Sequence, residues 1–353
     1  MRLLVLAGDG IGPEITAATL VVLNAAVHRF RLDLDIEEDV VGHQSLKQFG
    51  TTVRADILDR ARAADGLILG PAATFDFKDA EKGEINPSMY FRKNLDLFAN
   101  IRPSRTYPGL PAKLGQFDLV IARENTEGFY ADRNMAQGNA EMLVTEDVAI
   151  SLRRITRNAS ARIARVAFEL AQQRKKRVTV VHKANVLKLG DGMFIEECRK
   201  AAAEFPDVKV DDVIVDAMMA HVVRAPSRFD VIVTTNMFGD ILTDLTAELS
   251  GSIGLGGSLN QGSDHAMAQA AHGSAPDIAG KNIANPFSLI LSSAMLLDWI
   301  GEKHRARSFG QAAAAIQSAI EAAIREGEIT RDIGGRLGTK ETGEALAARI
   351  GGA

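Results

Sequence analysis

An α/β fold is expected from three features of the sequence. Short continuous apolar runs alternate with segments whose apolar residues recur at helical spacing. The chain opens on a strand, a glycine turn and a helix. Its 353 residues carry no repeat and no long linker, a length suited to two linked lobes.

Residues 3–7 form an uninterrupted apolar run, as in a strand covered on both faces. Gly8-Asp9-Gly10-Ile11-Gly12 is a tight turn, with Pro13 at the first helical position and Glu14 in the first turn. Ile15, Leu20, Leu23 and Val27 then mark a helix over 14–29. Residues 67–69 are a buried strand ending in Gly70-Pro71, and residues 119–122 another, ending in Arg123-Glu124-Asn125. Ile155, Ala159, Ile163, Val166, Ala167 and Leu170 define one face of a long helix, followed by a strand at 178–181. Strands at 213–215 and 231–234 precede a helix starting near Gly239. The last hundred residues read as mostly helical, and the Ala-rich stretch 310–324 as packed helix.

Composition excludes several classes. Hydrophobic residues at 46% and charged residues at 24% rule out wholesale disorder. Lys plus Arg total 41 against 45 Asp plus Glu, and aromatics are only 5%, so no nucleic-acid or membrane partner is expected. Cys198 stands alone, unable to form an internal disulfide or a cysteine-built metal site, which fits a cytoplasmic protein. Gly8 ends the opening apolar run short of the roughly 7–15 residues of a secretory core. The run 287–300 contains Asp298 and is shorter than the ~20 residues of a spanning helix.

Five features carry chemistry. The glycine turn lacks the third glycine of a Rossmann fingerprint, since Pro13 stands there. Asp240 and Asp244 are four apart, hence on one helix face, and two such carboxylates suit Mg2+. Phe238, Ile241, Leu242 and Leu245 make this helix partly buried, and Asp216, closing the 213–215 strand, is a third candidate ligand. Arg92, Arg102 and Arg123 flank or end apolar segments; if they converge, they suit a polycarboxylate. Residues 272–285 form a Gly- and Pro-punctuated loop in which Asp277 can accept hydrogen bonds from a ribose diol and repel a 2′-phosphate. Lys183, ending a buried strand, is a candidate base, and Tyr130 a candidate proton donor. Taken singly, each feature is also compatible with an ordinary structural role.

Together these segments resemble the isocitrate/3-isopropylmalate dehydrogenase family of β-decarboxylating dehydrogenases. The resemblance runs through residues 8–14, 92–103, 123–130, 182–186, 236–244 and 272–286, in the family's order and nearly end to end. It implies a two-domain α/β fold that is not Rossmann, with a discontinuous cofactor-binding domain (1–99 and 251–353) and a substrate and dimerisation domain (100–250). It also implies a homodimer in which each active site borrows Lys183 and Asp216 from the neighbour.

By position, Arg92, Arg102 and Arg123 match the malate clamp, and Asp216, Asp240 and Asp244 the Mg2+ or Mn2+ ligands. Tyr130 and Lys183 match the catalytic acid and base, with Lys183 held neutral by positive neighbours. His272, Gly273, Ser274, Ala275, Pro276, Asp277, Ile278 and Asn285 match the cofactor loop, and the Asp277-Ile278 pair implies NAD over NADP. The implied reaction is metal-assisted hydride transfer from a 3-substituted (2R)-malate, then loss of CO2.

Two segments depart from the pattern. Gln269 replaces the family's usual glutamate three residues before His272. Before Arg92 the segment reads Ile85-Asn86-Pro87-Ser88-Met89-Tyr90-Phe91, with the serine and asparagine of isocitrate enzymes in swapped order. Left unpaired against an isopropyl group, the Asn86 amide and Ser88 hydroxyl would each cost about 1–3 kcal/mol, which tilts the expectation toward isocitrate. Residues 215–226 instead look like isopropylmalate enzymes. Tartrate, D-malate and homoisocitrate remain open as substrates, as does the role of a non-catalytic regulatory subunit.

Overall fold

The computed structural model describes residues 1–112, 114–130, 135 and 140–352. The chain forms two compact units: Met1–Leu95, Tyr107–Ala112 and Ser250–Ala353 make the first, Asp96–Thr106 and Lys113–Leu249 the second.

The first unit begins with β1 (Arg2–Leu6), α1 (Gly12–Phe30), β2 (Asp35–Asp39), α2 (His43–Phe49), α3 (Ala55–Ala63), β3 (Gly66–Leu69) and α4 (Pro87–Asn94). The second holds β4 (Ala99–Arg105), β5 (Asp118–Glu124), β6 (Glu141–Thr145), β7 (Val148–Ser151), α5 (Arg157–Gln172), β8 (Arg177–His182) and α6 (Gly190–Glu204). It continues with β9 (Lys209–Ile214), α7 (Val215–Arg224), β10 (Val231–Thr234) and α8 (Asn236–Leu249). The chain returns to the first unit with β11 (Leu259–Gln261), β12 (Ala266–Gln269), α9 (Phe287–His304), α10 (Arg307–Glu326) and α11 (Thr339–Gly351).

In the first unit the strands run in the order β2-β1-β3-β12-β11. All pairs are parallel except β11 with β12. Helices cover such a sheet on both faces, so its inner strands are apolar throughout, as Leu3–Leu6 and Leu67–Leu69 are. The core joins Val5, Ile15, Ile68 and Ala268 to Leu289 and Ile300 of α9 and Ile316 and Ile320 of α10. The apolar run at 287–300 is thus a core helix, and no described helix is long and apolar enough to cross a membrane.

The glycine turn is a backbone brace. Gly8 and Gly10 have φ of +75° and +59°, and a Cβ on Gly10 would lie 2.0 Å from the Ser274 carbonyl oxygen. The N–H groups of Asp9, Ile11 and Gly12 donate to Pro71, Ser274 and Asp9 carbonyls at 2.7, 2.8 and 2.9 Å. Those donors are therefore committed inside the fold, which is why the turn fails as a pyrophosphate cradle. Helix α1 starts at Gly12, so Pro13 occupies its second position.

The second unit has strand order β4-β5-β10-β8-β9, antiparallel only between β4 and β5. Three expected boundaries move. Helix α5 begins after Ile155, at a cap where Thr156 accepts the Ala159 N–H at 3.2 Å. Helix α8 begins at Asn236, not Gly239. Strand β9 stops at Ile214, so Asp216 lies in the first turn of α7 and closes no strand. The hairpin β6–β7 is exposed along its whole length.

Candidate active site

A polar cluster in the second unit gathers on one side of α8. Arg123, at the end of β5, is 1% exposed. Its Nε and Nη2 donate to Asn236 Oδ1 at 3.0 and 2.7 Å, and its Nη1 pairs with Asp240 Oδ1. Gly239 permits this approach, because a Cβ there would lie 2.6 Å from the arginine side chain. The Tyr130 hydroxyl donates to the other Asp240 oxygen at 2.8 Å, and the Arg123 guanidinium lies 5.8 Å from the Tyr130 ring centre.

Arg102, on β4, donates from Nε to Asn100 at 2.7 Å and from Nη1 to Thr243 at 2.9 Å and Asp244 at 3.3 Å. Burial, reinforced by the like charge of Arg123, holds its guanidinium down to about 10, so it remains a cation at neutral pH. Its Nη2 makes no hydrogen bond among the described residues, which leaves one donor edge for an incoming carboxylate. Partial burial pushes the Asp244 carboxyl above its ordinary range, and the Asp240 charge adds to the rise against Arg102 and Arg123. Ile241 departs from expectation: it is 56% exposed, while Phe238 and Leu242 carry the buried face.

Asp240 and Asp244 fit a hard divalent cation. They stand one helical turn apart with side chains 38% and 56% exposed, and the raised Asp244 is the state a cation would relieve. Among the described residues no group of three His, Cys, Asp or Glu could hold a metal. Asp216 pairs instead with Lys183, whose Nζ donates to Asp216 Oδ1 at 2.5 Å. Within the chain the Lys183 side chain therefore faces a carboxylate. Its hydrogen bond to Lys183 holds the Asp216 carboxyl below its ordinary value. The Lys183 backbone is fixed by Asp191, which accepts its N–H at 2.6 Å and pairs with Arg153 at 2.7 Å.

Arg92 belongs to the first unit, on α4, and its surroundings were unforeseen. Arg92 Nη2 and Ser88 Oγ both donate to Gln269 Oε1, at 2.9 and 3.2 Å. Asn86 caps the helix, accepting the Met89 N–H at 3.1 Å. The premise that Asn86 and Ser88 would sit unpaired without a polar substituent is therefore overturned for the Ser88 hydroxyl and the Asn86 oxygen, each of which has a partner within the chain.

The 272–285 segment is an irregular loop in the same unit. Asp277 is exposed at its outer side, Ile278 packs on the core, and Gly273 and Gly280 have open space where a Cβ would be. Burial pushes the His272 imidazole below its ordinary value. Asn285 is internally committed: it donates to Asp332 at 3.0 Å and accepts the Phe287 N–H at 2.9 Å. An exposed carboxylate on a loop open to backbone approach fits a dinucleotide.

A family model described as isocitrate/isopropylmalate dehydrogenase matches residues 2–346. The chain belongs to the isocitrate/isopropylmalate dehydrogenase family. A 3-isopropylmalate dehydrogenase of Methanothermobacter thermautotrophicus is 39% identical over 99% of this chain and 98% of its own. An isocitrate/homoisocitrate dehydrogenase of Thermus thermophilus is 40% identical, again over 99% and 98%. A crystal structure of isocitrate dehydrogenase from Methylococcus capsulatus superposes with a TM-score of 0.88 at 38% identity, covering 99% of both chains.

Within this dehydrogenase family member, three polar residues escaped the sequence reading. Asn236 orients Arg123, Thr243 and Asn100 orient Arg102, and all lie in or beside segments already singled out. A polar residue on the inward face of an apolar helix was the available signal for Asn236 and Thr243.

Proposed function

We propose that the protein oxidatively decarboxylates a 3-substituted (2R)-malate, with NAD as hydride acceptor and Mg2+ or Mn2+ at Asp240 and Asp244. The observation that carries this reading is the interlocked set Arg102, Arg123, Tyr130, Asp240 and Asp244. In the proposal, residues 1–99 and 251–353 bind the cofactor, and 100–250 bind substrate and dimerise. Arg92 is a further candidate for binding a substrate carboxylate. The neighbour in a homodimer contributes Lys183 and Asp216, the latter as the further metal ligand. The exposed β6–β7 hairpin supports a dimer: a two-stranded sheet is marginal alone, and Leu143, Val144 and Ile150 are 71%, 52% and 44% exposed.

A divalent cation held by Asp240 and Asp244 would supply Lewis acidity to the 2-hydroxyl and to enolate charge, and NAD would supply the hydride acceptor. The chain's residues do the rest. Arg102 offers its Nη2 edge to a substrate carboxylate, and Arg123 locks Asp240 in place. Lys183, whose Nζ is held by Asp216, takes the hydroxyl proton directly or through a relay. The Tyr130 hydroxyl, aimed by Asp240, returns a proton to C3 after CO2 leaves. Asp277 and Ile278 take the adenosine ribose, and the carboxylate repels a 2′-phosphate.

The test is a steady-state panel of D-malate, tartrate, isocitrate, homoisocitrate and 3-isopropylmalate with each nicotinamide cofactor and metal. NADH formation with at least one substrate is expected, with kcat/KM higher for NAD than for NADP. A clear NADP preference would overturn the role given to Asp277, and no turnover at all would overturn the activity.

A further inference from the structure

We infer that Gln269 determines substrate specificity, its amide N–H2 group selecting a malate whose C3 substituent carries a hydrogen-bond acceptor such as a carboxylate. The inference deepens the dehydrogenase reading and rests on it.

The orientation of the Gln269 amide follows from its neighbours. A guanidinium has donors only, so the 2.9 Å contact with Arg92 Nη2 obliges Gln269 to turn its oxygen toward α4. The amide nitrogen then faces the other way. Ser88, one helical turn before Arg92, spends its single proton on that same oxygen, at 3.2 Å. It offers only lone pairs elsewhere, which a carboxylate repels. Of the two residues, Gln269 is therefore the one able to donate.

Gln269 is also held in place. It ends β12, its N–H donates to the Ser258 carbonyl at 3.2 Å, and its own carbonyl accepts the Ser292 hydroxyl at 3.0 Å. The residue is 8% exposed, and its Nε2 makes no hydrogen bond among the described residues. The donor is open to water, and an alkyl substituent packed against it would strip that water and leave it unpaired, whereas an acceptor would replace it, so the donor discriminates against an alkyl group. Arg92, 7% exposed beside it, supplies the positive charge that suits a carboxylate.

The experiment compares kcat/KM for isocitrate and homoisocitrate with that for 3-isopropylmalate in four proteins: wild type, Gln269→Glu, Gln269→Met and Ser88→Ala. Glu keeps the acceptor for Arg92 but turns the outward donor into a charged acceptor. Met removes the donor without adding charge, and melting temperatures verify that the variants fold. Both Gln269 variants are expected to lower the ratio by about tenfold or more, while Ser88→Ala shifts it by less than about threefold. An unchanged ratio in folded Gln269 variants, or a larger fall in Ser88→Ala, would overturn the inference. So would a wild-type preference for 3-isopropylmalate or unsubstituted malate. No wild-type turnover of any substrate would instead overturn the dehydrogenase reading, and the inference would fall with it.

Discussion

Two charged groups in the second unit are finished in opposite ways. Around α8, Arg102 and Arg123 are buried and hydrogen-bonded to side chains of the same chain, which holds Asp240 and Tyr130 in register. Lys183 and Asp216 pair with each other, with side chains 27% and 67% exposed. Val186 and Leu189 beside them are 66% and 86% exposed. The first group is preorganised by the fold. The second has the makings of an interface: a polar pair with uncovered apolar side chains close by in sequence. Completion within the chain for one and by a neighbour for the other is the difference to test.

The largest effect should come from Arg123→Ala. Removing the buried guanidinium takes both donors from the buried Asn236 Oδ1 and the charge partner from the half-exposed Asp240, at about 1–3 kcal/mol of stability. Denaturant unfolding checks this, and a midpoint matching wild type would show that the cluster is not preorganised as described.

Lys183→Ala should lose activity by about 10²–10⁴-fold with no measurable change in melting temperature, because its pair is exposed. Mixing inactive Lys183→Ala with inactive Asp240→Asn sharpens the contrast. Dissociated and reassociated dimers should regain about a quarter of wild-type activity, since about half are mixed and each carries one intact site of two. No recovery would place Lys183 in its own chain's site.

Asp244→Asn has the smallest effect on folding. A carboxyl raised in the folded state costs stability when ionised, and this cost disappears as pH falls through the raised value. The variant should therefore melt no lower than wild type at pH 7, any advantage should vanish on acidification, and metal-dependent turnover should be lost. A lower melting temperature at pH 7 would show that Asp244 stabilises the fold as an anion.

Legibility in the sequence followed burial. Residues 3–6, 67–69 and 231–234 announce themselves as continuous apolar runs because their strands are covered on both faces. Strand β2, Asp-Ile-Glu-Glu-Asp, does not, because it is a charged edge strand. The apolar run 213–215 misleads, as it joins the end of β9 to the first residue of α7. In the candidate site, Asp240 and Asp244 were legible because four-residue spacing is local. The contacts of Arg123 with Asn236 and of Arg92 with Gln269 span 113 and 177 residues, so only folding reveals them.

Oxidation is coupled to decarboxylation at one site in the proposed reaction, and the stoichiometry of products measures that coupling directly. With the preferred substrate, NAD and Mg2+ or Mn2+, the purified protein should release CO2 and NADH in a one-to-one ratio, and a chelator should abolish both together. NADH formed without CO2, or turnover indifferent to the chelator, would contradict it.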